Sequence, residues 1–184
     1  NPENPHAPNP ILSSLPMKSV LLLLLATFCM AVGSLRAEKP FEGDTLGSLE
    51  LGQSAEAVIK VLGKPQSKGR DVEWEAIGEW VQEWHFPKQG LTLAMNSEKK
   101  GGAKTILNIT AEAPCQLVTS RGIRIGSTEV AVAKAYSDVQ NKEEGAAGEL
   151  FVAGTAYRGV LCHLNHGNVG QLFLGHAYEY TYRV

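Results

Sequence analysis

Leu49-Glu-Leu-Gly-Gln-Ser-Ala-Glu-Ala-Val-Ile-Lys-Val-Leu-Gly-Lys-Pro65 decides how this chain is read, because a degenerate copy returns as Ile123-Arg-Ile-Gly-Ser-Thr-Glu-Val-Ala-Val-Ala-Lys-Ala-Tyr136. Aligned without gaps, the copies share Gly52 with Gly126, Ala57 with Ala131, Val58 with Val132 and Lys60 with Lys134. Leu49 and Leu51 answer to Ile123 and Ile125. Apolar-charged-apolar followed by Gly is a short extended piece ending where the backbone must turn. A helix is predicted next, with Ser54 and Thr128 as N-caps and Glu56 and Glu129 placing negative charge in the first turn. Ala57, Val58, Val61 and Leu62 fall on one face. Gly63 and Pro65 stop the first helix; the second lacks that stop and is expected to run to about Val139.

Outward from each copy the period changes from 3.6 to two. Trp80, Gln82, Trp84 and Phe86 alternate with Val81, Glu83 and His85, the pattern of a strand with one aromatic face. Gly78 turns it back on Val72–Ala76, and Gln66–Arg70 reads as a basic turn. Pro87–Gly90 is a further turn, before strands at Leu91–Met95 and Thr105–Ala111. After the second copy, strands are expected near Leu150–Tyr157, Val160–Leu164 and Val169–Tyr178. Gly159–Asn165 lines up with Gly90–Asn96, and Val169–Leu174 with Lys104–Ile109. The expected fold class is therefore α+β, two tandem helix-on-antiparallel-sheet repeats over 38–114 and 115–184.

The first 37 residues are read as a leader. Residues 1–16, rich in Pro and Asn, look like a disordered or over-extended start. Residues 17–37 carry Lys18, the apolar run Val20–Val32 and Leu35-Arg-Ala37, the marks of a cleavable secretory signal too short to span a membrane. Phe28 before Cys29 does not fit a bacterial lipobox. These features predict a periplasmic or secreted protein with no stable membrane span in the mature chain. Of 17 basic residues, Lys18 and Arg36 lie in the leader, as does one of 19 acidic residues, Glu3. The remainder has a net charge near −3, and no basic stripe points to nucleic acid. Removal of the leader also leaves Cys115 and Cys162. In an oxidising compartment they are either a bridge or two buried thiols.

The run Leu-Gly-x-Ser-x-x-x-Val-x-x-x-Leu-Gly-x-Pro, carried by Leu51, Gly52, Ser54, Val58, Leu62, Gly63 and Pro65, is followed by Trp84, Phe86, Pro87, Gly90 and Leu91. Together they resemble the outer-membrane assembly lipoprotein family of the SmpA/OmlA type, and two such units in tandem resemble β-lactamase-inhibitor proteins. The second unit keeps Ile125, Gly126, Thr128, Val132, Tyr136, Gly159 and Val160. The resemblance implies small modules that scaffold envelope complexes or bind proteins on a sheet face, with no catalysis.

The residues themselves hold no GxSxG, P-loop, HExxH or paired CxxC. Cys162-His163-Leu-Asn-His166, with His176, is the one cluster that suggests a metal or a hydrolase. Neighbours on a strand point to opposite faces, so neither metal site nor cofactor is expected. Ser54, Ser127 and Thr128 are accounted for as helix-start residues. Trp74, Glu79, Trp80, Glu83, Trp84 and Phe86 are the candidate binding residues, since tryptophans beside carboxylates suit a basic protein surface. The plainer reading packs the tryptophans under the helix. The expectation is a non-enzymatic protein-binding or scaffold module, with an enzyme inhibitor as the alternative.

Overall fold

The two copies of the quoted stretch become the two helices, and each is started by the residue the spacing marks. In the computed structural model, which describes residues 44–155 and 158–175, α1 spans Ala55–Leu62 and α2 spans Glu129–Ala135. Ser54 Oγ accepts from the Ala57 N–H at 3.3 Å, and Thr128 Oγ1 from the Ala131 N–H at 3.2 Å. Each cap satisfies one of the N–H groups that a helix start leaves unpaired. α1 ends at Gly63 with φ 80°, a conformation that glycine adopts without penalty.

α2 does not run to Val139 but ends at Tyr136. The chain must straighten there: the Val139 carbonyl accepts from the Gly154 N–H and the Asn141 N–H donates to the Val152 carbonyl, bonds that a helix would forbid.

The strands are β1 Ser67–Lys68, β2 Val72–Trp74, β3 Glu79–Phe86, β4 Leu91–Ser97, β5 Thr105–Glu112, β6 Leu150–Thr155, β7 Arg158–Asn165 and β8 Asn168–Gly175. They form one antiparallel sheet in the order β1-β3-β4-β5-β8-β7-β6, with β2 also pairing with β3. The two-repeat α+β organisation is thus corrected. The chain builds a single eight-stranded sheet with two short helices among the described residues, not two helix-on-sheet units. β5 and β8 pair from Asn108↔Gly175 to Glu112↔Gln171, so the ladder crosses the expected 114/115 boundary without a break. At about 1.5 Å per residue, helices of eight and seven residues are too short to form a layer each. The expected basic turn at Gln66–Arg70 contains β1, whose Ser67 and Lys68 pair with His85 and Trp84.

One face of the sheet carries the core. Trp84, Phe86, Leu91, Leu93, Ile109, Ala111, Leu172, Leu174, Val160, Cys162, Phe151 and Ala153 meet Val58 of α1 and Val132 and Tyr136 of α2 in one buried cluster. The helix starts are fastened to the sheet by main-chain bonds of the same kind. The Gly52 N–H donates to the Ile106 carbonyl, the Ile106 N–H to Gln53 and the Ala55 N–H to Lys104; Gly126 to Val169, Val169 to Ser127 and Glu129 to Gly167 repeat the set. Val169 therefore answers to Ile106, two residues away from the expected match with Lys104. A bulge in each half, at Ala94/Met95 and at His163/Leu164, shifts the register locally.

Tyr136 also anchors the lead into the sheet. Its hydroxyl donates to Asp44 Oδ2, and Asp44 Oδ1 accepts from the N–H groups of Thr45 and Ser120. With its one proton given to Asp44, the phenol takes Thr119's at 3.0 Å. Burial, then the bond to the Asp44 carboxylate, pushes the Tyr136 pKa far above its ordinary range.

Cys115 and Cys162 are both buried free thiols in the main core, with no bond between them. Burial pushes Cys162 from 9.0 up to about 12 and raises Cys115 as well. Residues 1–37, with Cys29, and the expected strand ends at Tyr157 and Tyr178 lie outside the described residues.

Candidate functional site

The register of the first hairpin sorts the candidate binding residues onto two faces. Trp80, Gln82, Trp84 and Phe86 point to the helix side, whereas Glu79, Val81 and Glu83 point to the outer side together with Val72 and Trp74, their cross-strand partners and neighbours. Trp84 and Phe86 are 3% and 2% exposed and belong to the core, so both are withdrawn from the binding set. The plainer reading wins for Trp84. Its indole N–H donates to Gln82 Oε1 at 2.8 Å, and the Lys68 ammonium lies 3.7 Å from the ring centre, closing the edge over it.

Trp80 is half-buried on the helix side, with Lys100 at 5.2 Å from its ring. Trp74 is half-buried on the outer side. Beside it stands Val72, 55% exposed, which sequence reading did not single out. Its signal was weak, since a single valine in a three-residue strand has no periodicity to betray its face.

The acids also divide. Asp71 turns inward to Lys104 at 2.6 Å, a bond that holds its carboxyl below the usual carboxylate range, and it also accepts from the Gly101 N–H. Glu79 accepts from Asn96 Nδ2, and Glu83 Oε2 lies 3.7 Å from His85 Nε2. Glu73 and Glu75 are exposed on the hairpin. Between Asp71 and Phe86 there are five acids and no lysine or arginine. At the far end of the same outer face, His85, Thr92, Thr110 and Glu112 line an open cavity of about 250 Å³. Its polar groups are engaged locally: His85 Nδ1 lies 3.4 Å from Thr92 Oγ1, and Glu112 Oε1 accepts from Gln171.

Cys162 faces the core, and its neighbour His163 projects from the other side of β7, exposed opposite Leu150 and Gln171. They do not converge. Among the described residues no group of three His, Cys, Asp or Glu could share an ion, and no helix is long and apolar enough to cross a membrane. His176 lies outside the described residues. The outer face also holds Asn108, 2% exposed, whose Nδ2 has no hydrogen-bond partner. The signal for it was an amide in the middle of the apolar strand stretch Thr105-Ile-Leu-Asn-Ile-Thr-Ala111.

No family model, curated protein or solved structure matches the chain.

Proposed function

We propose that the chain is an exported, non-enzymatic protein-binding module of the cell envelope that takes a basic protein surface on the outer side of the β2–β3 hairpin. The observation that carries this is the patch of Val72, more than half exposed, beside half-buried Trp74, with Glu79 and Glu83 on the same outer side of the hairpin. An aromatic ring flanked by apolar surface concentrates binding energy, and a rim of one sign of charge speeds encounter and selects the opposite sign. β2 suits the role because, among the described residues, it pairs with β3 alone.

The test is capture from an envelope extract by the protein and by its Val72→Ser/Trp74→Ala variant, at low and high salt. A basic partner held by the parent, released by salt and lost by the variant supports the reading. A partner that the variant retains, or one that is acidic, overturns it. Unchanged thermal unfolding of the variant separates lost binding from lost fold.

A further inference from the structure

His85, Thr92 and Thr110 are partners in register on β3, β4 and β5, so their side chains stand in one row on the side of the sheet away from the helices. This half-buried row lines the cavity of about 250 Å³, together with Pro87, Ala113 and the exposed Glu112.

The hydrogen-bonding capacity of that cavity is one-sided. No lysine or arginine lines it. Gln171 donates to Glu112 Oε1 and so holds the carboxylate in place, while Oε2 has no partner among the described residues. The Thr110 hydroxyl has none there either. Thr92 Oγ1 lies 3.4 Å from His85 Nδ1 and, with two lone pairs, can still accept. Three oxygen acceptors are therefore left over, one of them on a carboxylate. An anion would be repelled by Glu112, and an uncharged donor would leave its charge unanswered. A cation with several N–H donors on an apolar stem answers both needs. Acceptors spread over neighbouring strands about 4.8 Å apart suit the wide guanidinium fork better than a compact ammonium.

We infer that the cavity takes the side chain of one arginine on the partner's basic surface, its guanidinium donating to Glu112 Oε2, Thr110 Oγ1 and Thr92 Oγ1 and its methylenes lying against Pro87 and Ala113. This rests on the reading of the outer side as the face that binds a basic protein. The place fits that reading. Val81, the partner in register of Val72, is followed on the outer side of β3 by Glu83 and then His85. At about 3.4 Å per residue the cavity lies about 14 Å along the strand from the Val72–Trp74 patch. An interface of ordinary size, about 800 Å² per partner, covers both.

The test titrates the isotope-labelled protein with N-acetyl-arginine amide and follows its amide resonances. Saturable shifts are expected around Thr92, Thr110 and Glu112. N-acetyl-citrulline amide, which has the shape without the charge, should bind at least about tenfold more weakly, and Glu112→Gln should weaken the arginine probe about tenfold. Shifts that do not saturate, citrulline binding as tight as arginine, or an unchanged Glu112→Gln overturn the inference. Free arginine brings its own carboxylate toward Glu112 and should bind more weakly than the blocked probe; tighter binding would make the cavity a small-molecule site and overturn the protein source. The Val72→Ser/Trp74→Ala variant should bind the probe as the parent does. Envelope capture that survives without probe binding overturns the cavity inference alone, and probe binding that survives without envelope capture overturns the hairpin reading alone.

Discussion

The first helix and the second are fastened to the sheet through matching main-chain bonds and diverge at their last turn. Leu62 closes α1 half-buried and hands over to Gly63, which turns the chain away. In the same place α2 is followed by Tyr136, fully buried and bonded to Asp44 and Thr119. The start of each helix is thus a backbone matter, common to both copies, while the end is a side-chain matter in which a single ring decides what the helix holds. In the second copy it holds the lead segment at Asp44 and the loop at Thr119–Ser120 in one polar knot inside the core.

The sharpest way to break this contrast is truncation at the two equivalent positions. Tyr136→Ala should cost about 3–5 kcal/mol, the range for emptying a buried aromatic site, and Leu62→Ala clearly less because its side chain is half in water. Urea unfolding of the pair measures both, and equal losses would remove the distinction. Tyr136→Phe keeps the ring and should cost about 1–3 kcal/mol, since Asp44 Oδ2 and Thr119 Oγ1 lose their common partner inside the protein.

Alkaline titration sharpens the comparison further, because Cys162 and Tyr136, the described groups whose proton release is pushed furthest up by burial, both lie around the second copy. Cys162 keeps its proton until about 12, whereas the unfolded thiol releases it near 9.0; Tyr136 is displaced in the same direction. Stability from these groups is complete below about 9 and falls as pH rises toward 12, by up to about 1.4 kcal/mol per pH unit for each group. Cys162→Ala should flatten the thiol's part of that fall, and an unchanged slope in urea midpoints between pH 9 and 11 would count against it. The smallest effects belong to the shared starts. Ser54→Ala and Thr128→Ala should each cost about 1 kcal/mol, equal within error.

What the sequence made legible follows the same division. Gly52 and Gly126, Ser54 and Thr128, and Gly63 state local backbone needs, and each does in the fold what its chemistry requires. The period of two from Trp80 to Phe86 also placed one aromatic side, of which the core claimed Trp84 and Phe86. The pairing of β5 with β8 was not legible, because Thr105–Glu112 and Asn168–Gly175 carry ordinary strand residues that name no partner, and that one pairing turns two expected units into one sheet. The candidate site was mixed for a similar reason. Trp74 and Trp80 read as one cluster, but the turn between them sets Trp74 against Glu79, which sends the two rings to opposite sides. Asp44 and Tyr136 meet across 92 positions of chain, beyond the reach of any local pattern.

The strip from Val139 to Ala146 has one more consequence. It bonds the Leu150 N–H and carbonyl, the Val152 carbonyl and the Gly154 N–H on the outward edge of β6, so among the described residues that end of the sheet is covered by the chain's own backbone. The β1–β2 end is the other margin, interrupted between Lys68 and Val72. Among the described residues the β1–β2 margin is the one left open, and pairing through one margin joins two copies. Association by that route therefore has a fixed stoichiometry of two, and the plugged end acts as a chain terminator against fibre growth.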